Sequence, residues 1–406
     1  MIDALLVGLL IREVFVLGLF GLTRLSARSW LVADSPPPGI VIVVPVYEET
    51  RTVAVCAAWF VALAVGRPWL KLIICGTARE RTAGINPTLA LAKEALGNTP
   101  GTYVVEAPRE FGSRAAQINW AIGHTGLVGA DDFVGMYDVD SRPQAATLDE
   151  VRARHEEADV LQQHAIFTAN FGRLRANLLL LGQACYQTRW TMLHECGRFT
   201  LYKWGLWPAV HLVGHGMFIR AQLLDHYGGV PAETDIEDAH LGFYLSCQGE
   251  RIVSLRAWDV SDNPERLEDW WAQIYGWSKG PREALAYARL FKAKFRNGSM
   301  LRIGLVTLAT LLAWARWALT SAVFLVAAIA ALSGNPIALT WVVLWVGGSL
   351  LVMRLANRVS QVRASDTVLG LLGLPLYVAV ASMPVMASAI DALMGRKPAR
   401  YRTAHY

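Results

Sequence analysis

The 406-residue chain is too apolar for an ordinary soluble protein. Hydrophobic residues make up 54% of it and charged residues only 17%, against about 25% charged residues in typical soluble domains. The 38 basic and 33 acidic residues give a formal net charge of +5, and no basic stripe interleaved with aromatic residues indicates a nucleic-acid surface. Five scattered cysteines without a Cys-x-x-Cys pair argue against a disulfide scaffold or zinc knuckle and fit a reducing compartment.

The apolar residues are concentrated at the two ends of the chain. The first run, 4–22, is interrupted by Arg12-Glu13; we interpret it as a membrane span, with an amphipathic helix in the membrane interface as the alternative. The stretch 303–353 breaks at Ser333-Gly334-Asn335-Pro336, which predicts two spans joined by a tight turn. Two prolines divide a further uncharged run at 367–390, so a single crossing and a re-entrant passage both remain open.

Short apolar runs alternate with helical patterns in the more polar middle of the chain. This alternation predicts an α/β domain with a doubly wound, Rossmann-like, mostly parallel sheet, whose ligand binds at the carboxyl ends of the strands. The predicted strands are Ile40–Val44, Leu72–Ile74, Tyr103–Val105 and Phe133–Tyr137, and the predicted helices are Val53–Ala64, Pro87–Ala95 and Ala115–Ile122.

These patterns predict four regions. They are an N-terminal transmembrane segment over 1–33, the α/β domain over 34–280, an amphipathic interface helix over 281–302 and a C-terminal transmembrane region over 303–406. Basic residues border the α/β domain on both sides, so the positive-inside rule predicts that it faces the cytosol of a multi-pass membrane protein.

Asp138-Val139-Asp140 directly follows the fourth predicted strand. Residues i and i+2 of an extended chain point the same way, so both carboxylates can bind one Mg²⁺ or Mn²⁺ together with phosphate oxygens. Taken alone, such a pair is more often a solvated turn. Its position at the ligand edge of a parallel sheet favours the metal site.

Two further polar groups occur later in the chain. Glu237-Asp238 begins a helical pattern, where a carboxylate either stabilises the helix N-terminus or acts as a general base. Gln273 and Trp277 lie one turn apart on one helical face, which suits binding of a sugar ring; an interfacial tryptophan is the alternative. Spacing alone favours the structural explanation for Glu237-Asp238.

Six short segments in a fixed order extend over roughly Ile40 to Gly280. They are Val44–Glu49, Arg114–Asn119, Asp138–Ser141, Gly214–Arg220, Ile236–Asp238 and Gln273–Trp277. In this order, with apolar segments at both ends, the chain resembles the membrane-embedded family 2 glycosyltransferases, the GT-A group that contains cellulose, chitin and hyaluronan synthases and their shorter relatives.

The resemblance implies an inverting, metal-dependent enzyme. It would move a sugar from a nucleotide-sugar donor to a lipid or growing glycan acceptor at the cytosolic membrane face; a UDP-sugar is favoured as the donor, with a GDP-sugar as the alternative. The implied site residues are Pro45, Tyr47, Glu48, Arg114, Asn119 and Asp138 at the nucleotide sugar, Asp140 with Asp138 at Mg²⁺ or Mn²⁺, His215, Gln273, Trp277 and Lys279 at the diphosphate and acceptor, and Asp238 with Glu237 at the catalytic step.

Three positions depart from the family pattern. The second strand runs into Ile74–Thr77 where the family has Asp-Asp-Gly-Ser, which leaves the choice between uridine and guanosine open. Ile236 replaces a threonine. Gly276 replaces an arginine that would bind phosphate through two hydrogen bonds, and we expect Lys279 or Arg282 to supply the missing charge.

Two other functions are compatible with parts of the sequence. A non-catalytic membrane protein with a nucleotide-sensing domain fits the substituted motifs. A glycosidase with two carboxylates explains neither the apolar ends nor the Arg114–Asn119 segment. For a transferase, few helices are available to form a translocation channel, so either several subunits contribute or the enzyme adds one or a few sugars; we favour limited addition.

Overall fold

A computed structural model describes residues 2–25, 35–82, 84–234, 236–296 and 298–396. In chain order the elements are α1 (Ile2–Leu25), β1 (Ile40–Pro45), α2 (Val53–Ala64), β2 (Leu70–Thr77), α3 (Pro87–Leu96), β3 (Thr102–Ala107), α4 (Arg114–Thr125), β4 (Phe133–Met136), α5 (Ala145–Ala153), β5 (Val160–Ile166), α6 (Leu178–Arg189), α7 (Cys196–Lys203), β6 (Met217–Arg220), α8 (Ala221–His226), α9 (Glu237–Gln248), β7 (Ile252–Val260), α10 (Leu267–Trp277), α11 (Lys279–Arg282), α12 (Ala284–Lys294), α13 (Met300–Leu332), α14 (Pro336–Ser360), α15 (Ala364–Val380) and α16 (Met383–Leu393).

The described residues form two compact units. The first contains those within Met1–Ser29, Ala165–Pro208 and Val260–Ala404, and the second those within Trp30–His164 and Ala209–Asp259. The first unit is helical, and the second contains most of a seven-stranded sheet. All five cysteines are free thiols.

The sheet has the strand order β3-β2-β1-β4-β6-β5-β7. β1 pairs in parallel with β2 and β4, and β2 pairs in parallel with β3. β6 runs antiparallel to both β4 and β5. Because the chain returns from β3 to the opposite side of β1, the sheet is doubly wound. The predicted α/β fold is therefore confirmed.

The four predicted strands and three predicted helices are all present, with ends shifted by three residues or fewer. Their apolar runs are continuous because helices cover both faces of the sheet. On one face Ile40, Ile42 and Val44 pack in one buried cluster with Phe60 of α2 and Leu89 of α3. α4 lies against β1 and β2.

The sequence analysis missed β5, β6 and β7. β5 contains Gln162, Gln163 and His164, which do not look like a buried strand although each is fully buried. Their polar atoms have tertiary partners: Gln163 accepts from the Tyr137 hydroxyl, and His164 Nε2 lies 2.6 Å from Ser254 Oγ. These partners are distant in sequence, so local patterns could not predict the strand.

Among its described residues, the first unit contains four helical segments that are long and apolar enough to cross a membrane. They are Ile2–Thr23, Met300–Leu332, Pro336–Ser360 and Ala364–Leu393. The predicted tight turn separates the second from the third: Gly334 has φ +82°, and Asn335 Oδ1 accepts from the backbone N–H groups of Ile337 and Ala338.

The proline-divided run forms α15 and α16, separated by two residues. Serines bind the backbone around this break. Ser321 Oγ donates to the Val378 carbonyl over 2.8 Å and accepts from the Ser382 N–H over 2.9 Å. Ser382 Oγ donates to the Trp317 carbonyl over 2.8 Å. These bonds matter because backbone groups freed at a helix break need partners in apolar surroundings.

Candidate active site

The site lies where β1 and β4 end in the second unit. These neighbouring strands are parallel, so their carboxyl ends meet at one edge of the sheet. Asp138 and Asp140 follow β4 and are both half-buried, whereas Val139 between them is buried. Asp138 and Asp140 stand in a turn, closed by a hydrogen bond from the Ser141 N–H to the Asp138 carbonyl, and both carboxylates interact electrostatically with His215.

Arg114, the first residue of α4, connects three distant segments of this edge. Its Nε donates to Asp138 Oδ1 over 3.0 Å, one terminal nitrogen donates to Glu237 and the other to the Gly214 carbonyl. Burial opposes the charge on Arg114, but Asp138, Glu237 and Asp238 attract it and raise its pKa. Arg114 is therefore a fixed cation at the centre of the site.

The acid pair begins α9. Glu237 is ion-paired with Arg114, and only 12% of its side chain is exposed. Asp238 accepts from the N–H of Ala239 over 2.7 Å. Burial and repulsion from Glu237 raise the pKa of Asp238 to about 7, and attraction to Arg114 opposes this rise. A general base works best with a pKa near the working pH, and the pKa of Asp238 meets that condition near neutral pH.

Two glycines allow the segment around His215 to approach the site. A Cβ atom on Gly214 would lie 3.1 Å from Asp238 Oδ2 and 3.3 Å from Arg114 Nη1. Gly216 has φ +67°, and a Cβ atom there would lie 2.7 Å from Gln163 Cβ. Because neither residue has a side chain, the backbone lies directly against Asp238 and Arg114 at Gly214 and against Gln163 at Gly216.

His215 forms a charged pair with Asp259 at the end of β7. Nδ1 lies 3.3 Å from Asp259 Oδ2, and Asp259 has no exposed surface. Burial disfavours the imidazolium, but Asp259 together with Asp138 and Asp140 more than offsets this and raises the pKa of His215 to about 9. His215 is thus a cation facing the Asp138–Asp140 pair. The sequence analysis did not find Asp259, because β7 itself was not predicted.

The predicted nucleotide-binding residues Pro45, Tyr47 and Glu48 lie at the end of β1 and in the following turn. Glu48 has φ 58°, and its N–H donates to Glu80 Oε2 over 2.9 Å. Asn119 contacts the main chain of Val230: its amide donates to the Val230 carbonyl over 2.7 Å and accepts from the Val230 N–H over 2.8 Å.

A cleft of about 310 Å³ beside Glu48 contains residues that the sequence analysis missed. It is lined by Glu48, Thr50, Arg79, Glu80, Arg81, Thr82 and Pro87. Glu80, only 8% exposed, accepts from the N–H groups of Glu48 and Thr88 and thereby fixes the turn after β1. The sequence signal for these residues was Arg79-Glu80-Arg81 directly after an apolar strand.

Gln273, Trp277 and Lys279 belong to the first unit. Gln273 is buried on α10 and accepts from Gln183 Nε2 over 3.5 Å. Trp277 packs against the apolar cluster of that unit. Lys279 is buried, with Nζ 5.7 Å from the centroid of the Tyr275 ring. The second unit brings together Arg114, Asp138, His215, Glu237 and Asp238.

The donor groups at this edge suit a hard divalent cation that arrives with phosphate. Among the described residues, no group of three or more His, Cys, Asp or Glu side chains could hold a metal. Mg²⁺, however, is commonly bound by one or two carboxylates together with substrate phosphates. Asp138 and Asp140 match that smaller donor set.

No family model and no curated protein sequence matches the chain. Among solved structures, the mannosyltransferase PcManGT from Pyrobaculum calidifontis, in complex with GDP-Man and Mn²⁺, is 15% identical; the match covers 98% of this chain and all of that one, with a TM-score of 0.54. Residues 1–349 of S. aureus TarS, alone and with UDP-GlcNAc, are 13% identical over 88% of this chain and 92% of that one, with lower TM-scores of 0.43 and 0.44. The chain therefore has a glycosyltransferase fold.

Proposed function

We propose that this chain is an inverting, metal-dependent glycosyltransferase of family 2, related to the cellulose, chitin and hyaluronan synthases. It would transfer a sugar from a nucleotide-sugar donor to a lipid or glycan acceptor. The observation that carries the proposal is the convergence of Asp138, Glu237 and Asp238 around Arg114 at the carboxyl edge of the sheet. Similarity in fold to a mannosyltransferase solved with GDP-Man and Mn²⁺ supports it.

Asp238 and Glu237 have different roles in the proposed reaction. Asp238, with its pKa near 7, takes the proton from the attacking acceptor hydroxyl. Glu237 is bound to Arg114, so its role is to position that arginine. With one base and no carboxylate nucleophile, the reaction is a single displacement, and an α-linked donor gives a β-linked product.

Cationic groups face the position proposed for the diphosphate. Asp140 and Asp138 would hold Mg²⁺ or Mn²⁺, which supplies positive charge to the leaving diphosphate. Protonated His215, held by Asp259, supplies further positive charge from the protein. Tyr47 and Glu48, beside the cleft after β1, would bind the nucleoside.

The apolar helices support a reaction at a membrane. Four segments are long enough to cross it, and the basic residues that border the α/β domain favour a cytosolic position. The part of the chain that the structure describes offers few helices for a polymer channel, which favours addition of one or a few sugars.

A donor panel tests the proposal. Purified protein with Mn²⁺ or Mg²⁺ and UDP- or GDP-sugars should release nucleoside diphosphate from at least one donor, and mass analysis of the product gives the chain length. Asp140→Asn and Asp238→Asn should abolish transfer. Asp149→Asn, at an exposed position of α5, is the matched control and should retain it.

Two results would contradict these assignments. Full transfer in both Asp140→Asn and Asp238→Asn would exclude the roles given to these carboxylates. Nucleotide binding without turnover under every donor condition would favour the alternative function, a non-catalytic membrane protein with a nucleotide-sensing domain.

A further inference from the structure

Four arginines of the first unit lie close together among its apolar helices. They are Arg12 on α1, Arg189 at the end of α6, Arg198 on α7 and Arg316 on α13, and we call them the arginine cluster. Arg316 has Arg198 and Arg12 as electrostatic neighbours, and Arg12 has Arg189. The proposed transfer reaction uses none of them.

Trp190 and His194 lie between these arginines. The guanidinium groups of Arg316 and Arg198 lie 4.3 and 5.3 Å from the centroid of the Trp190 ring. Residues Trp190–Glu195 form one turn of π-helix between α6 and α7, and such turns are frequent at functional sites.

The described residues do not balance the charge of the arginine cluster. Glu13 is ion-paired with Arg189, and both side chains are less than 5% exposed. Glu195 attracts Arg198. His194 Nε2 lies 3.2 Å from Arg12 and 3.5 Å from Arg189; because guanidinium groups only donate, this nitrogen accepts and the ring is neutral. Four cations thus face two carboxylates.

Hydrogen-bonding capacity also remains in the cluster. Arg189 is only 3% exposed, and its Nε is buried without a hydrogen-bond partner. Within the described chain, Arg316 has neither an ion pair nor a side-chain hydrogen bond. Uncompensated charges among apolar helices are costly and mark functional sites, so the charge balance of the described residues favours binding of an anion at the cluster.

The position of the cluster indicates the source of that anion. Arg316 immediately precedes the uncharged stretch 317–353 and lies within the segment Met300–Leu332, as Arg12 lies within Ile2–Thr23; both segments are long and apolar enough to cross a membrane. Next to Arg12 and Arg316, α1 and α13 expose Ile11, Phe15 and Leu312 by 64%, 52% and 54%. A ligand with a phosphate head and apolar chains matches both features.

We propose that the arginine cluster binds the phosphate group of an anionic lipid. Guanidinium groups are suited to phosphate because they offer paired donors in one plane. The exposed apolar side chains of α1 and α13 would contact the acyl chains. This site goes beyond the proposed transfer reaction, and its test needs no turnover.

The test measures lipid binding to the full-length protein in zwitterionic detergent, by native mass spectrometry and by thermal unfolding. The probes are phosphatidic acid, phosphatidylcholine and inorganic phosphate. The variants are Arg316→Gln and Arg198→Gln. The matched control is Arg354→Gln, an exposed arginine that directly follows the same uncharged stretch.

Wild type and Arg354→Gln should bind phosphatidic acid in preference to the other probes. Arg316→Gln and Arg198→Gln should bind it about ten-fold or more weakly, since a hydrogen bond to a charged group is lost. Without lipid, these two variants should unfold at or above the wild-type temperature, because removing a cation relieves repulsion within the cluster.

Three outcomes would overturn the proposal. Equal affinity for phosphatidic acid in Arg316→Gln and Arg354→Gln would exclude the cluster as the site. Binding of inorganic phosphate as tightly as the lipid would exclude a lipid ligand. Lower unfolding temperatures of both cluster variants without lipid would show that the arginines have a structural role.

Discussion

Replacing Arg114 by methionine tests how the candidate active site sets the acidity of its base. Arg114 donates to Asp138, Glu237 and the Gly214 carbonyl, and its charge lowers the pKa of Asp238 against the effects of burial and Glu237. Methionine retains much of the side-chain volume and removes the charge. The pKa of Asp238 should therefore rise above its value of about 7.

The size of the shift follows from the geometry. Asp238 Oδ2 and Arg114 Nη1 lie 3.1 and 3.3 Å from one point, the Cβ position of Gly214, so they are at most about 6.4 Å apart. At that distance and an effective dielectric constant of about 20, the attraction between unit charges is about 2.6 kcal/mol, or about two pKa units. Asp238 is only half-buried, so we expect about one unit because solvent screens part of the attraction.

The assay is the pH dependence of kcat/KM with the donor found in the panel. In the wild type, activity should rise with pH through about 7 as Asp238 loses its proton. Arg114→Met should shift that rise to higher pH and lower the plateau about ten-fold or more, because charge-assisted hydrogen bonds are lost. Arg114→Lys should shift it less.

Arg220→Met is the matched control, since Arg220 pairs with Asp159 and contacts none of the acid pair in the described structure. The midpoint of the rise of kcat/KM with pH should be the same in Arg220→Met as in the wild type. A midpoint in Arg114→Met that is unchanged, or shifted to lower pH, would refute the argument that Arg114 holds Asp238 ionised.

Three further changes test other parts of the molecule. Asp259→Asn should lower the pKa of His215 from about 9. The KM for the donor should therefore rise at pH 8 and stay near the wild-type value at pH 6. Equal effects at both pH values would contradict the claim that Asp259 keeps His215 protonated. Gly214→Ala should lower kcat about ten-fold because its Cβ would crowd Asp238 and Arg114, whereas Gly123→Ala, which meets no atom within 4 Å, should leave kcat unchanged. Glu13→Gln should lower the free energy of unfolding by about 3 kcal/mol, because it leaves the buried Arg189 unpaired. The measurement is thermal unfolding in detergent, with Glu94→Gln at an exposed position as the control. Equal stability of the two variants would contradict the predicted loss.

The sequence by itself predicted the first half of the sheet. β1 to β4 are apolar runs buried on both sides by helices, so composition and spacing identify them without knowledge of their partners. The same reasoning identified the apolar helices at the chain ends, since about 20 apolar residues suffice to cross a membrane. The sequence also predicted Asp138 and Glu237-Asp238 as candidate site residues, because Asp138 follows a predicted strand and Glu237 begins a helical pattern.

Only the tertiary structure decided how these groups are paired. Local patterns do not show that Arg114 binds carboxylates 24 and 123 residues away, or that Asp259 holds His215. Arg12-Glu13 interrupts the first apolar run, and the sequence does not show that Glu13 pairs with Arg189, 176 residues further on. The free energy of a buried charge depends on which opposite charges and dipoles surround it, and only the folded chain brings those groups together.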